Sequence, residues 1–247
     1  MLAIRAGIPP WKDHRNVSSP TSVSEELALE RELQSRFKQG DDRIQRLRNA
    51  GAPRVFIISG PSGVGKDTVL EQLRLAYPDA QYVVTATSRA MRSGELEGVH
   101  YHFIERDEFE KQIDEGDFLE HAIVYDNLYG VPKRPIVEGL AAGKHVIIKV
   151  DVQGAETLRD RISHPISIFL APESMQALLE RLRARKTDKI DALRKRFTTA
   201  SDELKKAGEF DYVVFNEADQ LDRAVAQITH IIEAELSRIN PPEVKVL

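Results

Sequence analysis

The run Gly60-Pro61-Ser62-Gly63-Val64-Gly65-Lys66-Asp67 constrains this chain more than any other feature. It satisfies G-x-x-x-x-G-K, follows the short branched run Val55–Ser59, and precedes a segment, 66–77, with helical periodicity through Val69, Leu70, Leu73 and Ala76. A strand that turns through glycines into a helix aims successive backbone N–H groups into one concavity and adds the favourable helix dipole. Such a turn cradles a polyphosphate, with Lys66 reaching the β and γ oxygens of a nucleoside triphosphate. Gly60, Pro61, Ser62, Gly63, Val64, Gly65, Lys66, Asp67 and Thr68 are therefore the candidate ATP-binding residues. At one position the chain departs from the rule: Asp67 replaces the Ser or Thr whose hydroxyl ligates magnesium, and Thr68 follows it. A carboxylate also ligates a hard cation, so Asp67 or Thr68 is the expected Mg²⁺ ligand, its charge offset by Lys66 and nearby arginines.

Three further apolar runs, 146–150, 166–170 and 212–215, are each followed by a helical pattern. That alternation predicts an α/β fold with a parallel sheet flanked by helices. Between the first two strands lies a long polar insertion, 83–135, and a basic segment follows at 181–196. Upstream, Ala50-Gly51-Ala52-Pro53 is a breaker cluster that bounds the main domain, set at 53–238 with a tail at 239–247. Before it, Ser22 and Glu25 form a capping box for a charged amphipathic helix over 22–50, with Val23, Leu27, Leu33, Phe37, Ile44 and Leu47 on one stripe and a break near Gly40. This helix offers a surface for packing, self-association or a partner. Residues 1–21, Ser/Pro-rich and poor in acid, have a weak transit-peptide composition that a disordered leader explains more simply.

A formal net charge of −4 argues against a general nucleic-acid binder, because affinity for phosphate backbones is mostly Lys/Arg counterion release. The absence of cysteine excludes a disulfide scaffold, a thiolate metal site and a thiol nucleophile. No stretch is apolar enough to span a bilayer. These features fit a cytoplasmic enzyme.

The remaining motifs are Thr87-Ser88-Arg89-Ala90-Met91-Arg92-Ser93-Gly94-Glu95, Gly98-Val99-His100-Tyr101-His102-Phe103, Phe118-Leu119-Glu120-His121-Ala122, Tyr129-Gly130 and Asp151-Val152-Gln153-Gly154. In order and spacing, together with the phosphate loop, they resemble the guanylate kinase family from about Pro53 to about Ser237. The resemblance implies a GMP-binding insertion, a basic lid and ATP-dependent phosphorylation of GMP with Mg²⁺. Arg89 and Arg92 offer two guanidinium forks and Tyr101 a hydroxyl, a suitable cradle for a phosphate monoester. In the family this cradle holds the GMP phosphate, which carries over to Arg89, Arg92, Tyr101 and Tyr129. Glu120 is placed to accept from guanine N1–H and the 2-amino group, a donor pair that adenine lacks. Thr85 matches a hydroxyl position near the base, whereas Val131 stands where many relatives have Ser or Thr. Asp151, at the end of a strand, matches an acidic position of the nucleotide site, which implies a GMP-binding residue that helps organise magnesium or GMP. Two residues earlier, where the family often has an acid, this chain has Lys149; Lys149 and Asp67 read as charge-compensating changes.

Residues 181–196 hold eight Lys/Arg against two Asp, with Arg181, Arg185 and Arg196 matching the lid, although Lys186 replaces a common Gly. Arginines that close over a triphosphate stabilise the charge spread during phosphoryl transfer, so Lys66, Arg185 and Arg196 are the candidate catalytic residues. Asn216 matches a position near the adenine. His100 and His102 form HxH without a third ligand and do not make a metal site. Two rivals compete. The G-K-D loop resembles that of ribose 1,5-bisphosphate phosphokinases, which lack much of the GMP cradle. Non-catalytic interaction modules of the same fold carry degraded phosphate loops, unlike Lys66 here.

Overall fold

The computed structural model describes residues 23–48, 52–124, 126–184 and 190–247. The chain divides into two units, residues 1–50 and 51–247. Of the first, α1 (Val23–Arg48) is one continuous helix. The break expected near Gly40 is absent, because one glycine costs only about 1 kcal/mol relative to alanine inside a helix and the flanking Arg, Gln, Lys and Leu residues sustain it. Leu27, Leu33, Phe37, Ile44 and Leu47 are all exposed on this helix. The capping residue Ser22 and the leader 1–21 lie outside the described residues.

The second unit is built on a sheet of five parallel strands in the order β2 (Gln81–Val83), β7 (Val146–Lys149), β1 (Val55–Ser59), β8 (Ile166–Pro172), β9 (Tyr212–Asn216). The branched runs of β1, β7 and β8 are buried along their whole length, as strands covered on both faces must be. On one face Phe56, Ile58 and Ile168 pack with Leu73 of α2 (Lys66–Ala76) and with Ile228 and Ile232 of α8 (Leu221–Leu236). Across the sheet Val55, Ile57 and Ile148 pack with Ile136 of α4 (Lys133–Ala141) and with Leu158 of α5 (Val152–Arg161). The tail is drawn into this second layer: Val244 and Val246 pack on it, Val246 bridges Ile162, and buried Arg54 donates to the Pro242 carbonyl at 2.7 Å.

The polar insertion makes its own four-stranded sheet in the order β4 (His102–Phe103), β3 (Ala86–Thr87), β6 (Asn127–Pro132), β5 (Phe118–Val124). Its small core stacks Phe109 of α3 (Arg106–Asp114) on Phe118, with ring centres 4.5 Å apart. Leu119 and Val131 belong to the second core layer of the main sheet, which ties the insertion to the domain. Helices α6 (Met175–Ala184) and α7 (Ile190–Lys205) are joined through Leu178, Leu182, Ala200, Leu193 and Phe197. The C-terminal ends of β1 and β7, the insertion and α7 therefore surround one cleft, where ligands of an open parallel sheet collect.

Candidate functional site

The cleft has a volume of about 980 Å³ and is lined by the phosphate loop, the insertion, the end of β7 and α7. Two glycines show why the loop takes its shape. Gly60 has φ 143°, and a Cβ there would lie 2.2 Å from the Leu170 carbonyl oxygen of the neighbouring strand. Gly65 has φ 97°, and its Cβ would meet the Asn216 amide nitrogen at 2.6 Å. Any side chain at either position forces the loop off the sheet. Asn216 braces the loop from below: its Nδ2 donates to the Val64 carbonyl at 2.8 Å, and its own main-chain carbonyl accepts from Arg181 at 2.8 Å.

The groups that would meet a phosphate are held by internal stand-ins. Lys66 Nζ donates to the carbonyls of Gly60 and Pro61 at 2.5 and 3.2 Å. Desolvation pulls its pKa down, against Glu203, Asp67 and Asp151, whose charges push it up. A carboxylate oxygen of Glu203 accepts from the Ser62 N–H at 3.0 Å, and Arg196 Nη2 donates to Ser62 Oγ at 3.3 Å. Burial raises the Glu203 pKa in spite of Lys66 and the Ser62 N–H. Asp67 lines the cleft, whereas Thr68 is exposed and is not among the lining residues. Arg185 lies outside the described residues; Arg196 lines the cleft from α7.

In the insertion, buried Arg89 makes a bidentate pair with Glu95, both contacts at 2.8 Å, and its Nε donates to the Tyr129 hydroxyl at 3.2 Å. Although burial opposes it, the Glu95 pair and Tyr129 raise the Arg89 pKa, so the guanidinium stays charged. Glu95 also accepts from the main-chain N–H of Arg92 at 2.7 Å, which fixes the turn carrying the exposed Arg92 side chain. Tyr101 meets Tyr129 edge-on with centroids 5.9 Å apart and lies 5.3 Å from the Arg89 guanidinium carbon. Arg89, Arg92, Tyr101 and Tyr129 thus face one end of the cleft.

Deeper in, Glu120 is 6% exposed, and its carboxyl accepts no hydrogen bond from any donor among the described residues. Burial, with a smaller contribution from the Asp151 charge, raises its pKa to about 8. Thr85 and Val131, both buried, line the same end. Asp151 caps α5, its Oδ1 accepting from the Gly154 N–H at 2.7 Å. A Cβ on Gly154 would press on the Glu120 carboxyl at 3.2 Å, so this glycine leaves room for the acid. Lys149 also enters the cleft, its Nζ 2.5 Å from Asp67 Oδ1. The compensating pair expected from the two departures is thus a direct contact.

Sequence reasoning assigned no role to Glu95 or Glu203. Glu95 carried a signal, three residues after Arg92 in a charged turn. Glu203 carried none, because its partner Ser62 is 141 residues away. His100 and His102 pair with Glu71 and Glu97 at 3.1 and 3.0 Å, and no cluster of three metal-ligating side chains occurs among the described residues. No helix among them is long and apolar enough to cross a membrane.

Known proteins resemble this chain over most of its length. The guanylate kinase family model matches residues 52–235. Guanylate kinase 2, chloroplastic/mitochondrial, of Oryza sativa subsp. japonica is 43% identical over 195 residues, covering 78% of this chain and 68% of that protein. Guanylate kinase of Carboxydothermus hydrogenoformans is 41% identical over 181 residues, covering 73% of this chain and 88% of its own. A crystal structure of guanylate kinase from Anaplasma phagocytophilum superposes with a TM-score of 0.62 at 30% identity, covering 76% of this chain and 88% of that one.

Proposed function

Since the chain belongs to the guanylate kinase family, it transfers a phosphoryl group from ATP to GMP, and we propose how its cleft divides that work. The phosphate loop, Gly60 to Asp67, takes the triphosphate of ATP. Lys66 exchanges its two carbonyl partners for phosphate oxygens, and Glu203 gives up the Ser62 N–H as the anion arrives. Asn216 acts through the loop that it braces. At the other end Arg89, Arg92, Tyr101 and Tyr129 hold the GMP phosphate, while Glu120 and Thr85 receive the guanine edge.

The observation that carries this reading is Glu120, a buried carboxyl with no donor among the described residues. Guanine N1–H and its 2-amino group supply two parallel donors to an ionised Glu120; adenine presents an acceptor at N1 instead. Neither a ribose bisphosphate nor a docked peptide explains a buried acceptor at that depth as directly.

The reaction requires no general base, because the attacking oxygen belongs to a phosphate whose second pKa is about 6. That oxygen bonds to the γ-phosphorus as the bond to the β–γ bridging oxygen breaks, and ADP leaves with the bridging oxygen and its electron pair. Negative charge spreads over the transferred group, where Lys66, Arg196 and Arg185 neutralise it. Asp67 and Asp151 offer the oxygen donors that suit Mg²⁺, which binds one or two carboxylates along with substrate phosphates. When bound, the ion draws charge from the β and γ oxygens. We assign the activity to the cytoplasm, with ATP and GMP as ligands and no nucleic-acid or membrane partner; the lack of cysteine and the slightly acidic charge fit that assignment.

Mg-ATP consumption by the purified chain, with GMP, dGMP, AMP and ribose 1,5-bisphosphate offered separately, tests the reading. Turnover selective for GMP and abolished by Lys66→Ala is expected. Turnover with the ribose bisphosphate alone would refute the acceptor assignment.

A further inference from the structure

One buried cation in the cleft has no part in the roles above. Lys149, 7% exposed, is the last residue of β7, in register with Ile58 of β1 just before the phosphate loop. Its ammonium lies 2.5 Å from Asp67 Oδ1 and 4.3 Å from the centre of the Tyr101 ring. An ammonium taken out of water is tolerated only where partners replace its hydration. Here the partners come one from each nucleotide subsite: Asp67 opens the helix after the donor loop, and Tyr101 belongs to the acceptor cradle. From Tyr101 the contacts continue to Tyr129, Arg89 and Glu95. A continuous set of packed and paired side chains therefore runs from the phosphate loop through Lys149 to the acceptor cradle.

We infer that Lys149 is a positioning residue that couples the two subsites, so that the acceptor cradle depends on a residue of the donor loop. This rests on the GMP-kinase reading. If Asp67 loses its charge, Lys149 keeps only the Tyr101 ring as an anchor, and the cation that fixes the ring is no longer itself held in place. Coupling of this kind is reciprocal and typically worth a factor of roughly 5 to 150 in affinity.

The test is calorimetric titration of GMP into the full chain, without ATP and without magnesium, so that donor binding and turnover play no part. Asp67→Ala is expected to weaken GMP binding by roughly five- to tenfold although the residue lies in the ATP loop. Lys149→Met is expected to lose a similar factor, and Lys149→Arg to restore most of it. The double variant Asp67→Ala/Lys149→Met should bind within about twofold of the weaker single variant, because both remove one linkage. GMP affinity unchanged by Asp67→Ala, or single losses that multiply in the double variant, would overturn the coupling while leaving the kinase reading intact. A wild-type chain that does not bind GMP would overturn both. Should Lys149→Met fail to fold, Asp67→Ala decides alone, since that side chain is 45% exposed and outside the core.

Discussion

Replacing Glu120 with glutamine should separate what this residue costs the fold from what it gives the site. Its pKa rises from an ordinary 4.5 to about 8, chiefly through burial. A carboxyl whose folded pKa lies above its unfolded value leaves the folded chain holding the extra proton, so stability falls as pH climbs through that window. With about 1.4 kcal/mol per pH unit, the penalty is about 1 kcal/mol at about pH 5 and about 3 kcal/mol at about pH 7. Glutamine has no such titration. Its buried amide carries a cost of its own, but one that does not change with pH. The difference in melting temperature between Glu120→Gln and wild type should therefore move in the variant's favour by roughly 5 °C or more between about pH 5 and pH 7, at 2–4 °C per kcal/mol for a domain of this size. Differential scanning fluorimetry across pH reads this directly. A difference that stays constant, or that moves against the variant, would refute the burial account. The same protonation predicts the binding signature. Glu120 must ionise to accept the guanine donors, so GMP uptake near pH 7 should release roughly 0.9 proton, seen as a dependence of the calorimetric heat on buffer ionisation enthalpy. Glu120→Gln should release almost none and bind GMP more weakly by about 2 kcal/mol, the worth of hydrogen bonds to a charged group.

Lys66→Ala should lower kcat by at least about a hundredfold in a coupled ADP assay while leaving the melting temperature nearly unchanged, because it removes charge neutralisation from the transferred group. Gly65→Ala combines a positive φ with a 2.6 Å approach to the Asn216 amide, so it should cost about 1–3 kcal/mol of stability and abolish ATP binding; retention of both would show that the loop relaxes freely. Glu203→Gln keeps an oxygen for the Ser62 N–H but removes the anion that occupies the loop, and ADP should bind roughly threefold more tightly. Weaker ADP binding would mean that Glu203 holds the loop open for phosphate rather than competing with it.

The sheet was legible because its strands are buried on both faces, and only unbroken branched runs such as Val55–Ser59 and Ile166–Pro172 satisfy that condition. The insertion was legible as polar chain with short elements, but not as a sheet. Ala86–Thr87 and His102–Phe103 are two residues each, too short to show a period; the first is held by pairing with β6 and the second by pairing with the first. The tail was hidden for a related reason: its anchors, Arg54 and Ile162, lie far away in sequence. Gly40 misled because a breaker residue weighs little inside a long run of good helix formers.

In the site, residues that act through their own neighbours were readable and those that act through distant ones were not. The phosphate loop and the Arg89–Arg92 turn announce themselves within eight residues, since the glycines of the one and the paired arginines of the other are local in sequence. Glu203 sits in an ordinary helical stretch, and only the fold brings it to Ser62. Lys149 and Asp67 fall between these cases. Each is a local departure with no local explanation, a carboxylate where a hydroxyl ligates magnesium and an ammonium where an acid is common. Read singly, both suggest a damaged site. Read together they conserve the charge of the cleft, and their contact at 2.5 Å, 82 residues apart in sequence, gives that sum a physical form. Paired anomalies of opposite sign therefore predict proximity better than either predicts loss of function, because an unpaired buried charge would cost several kcal/mol.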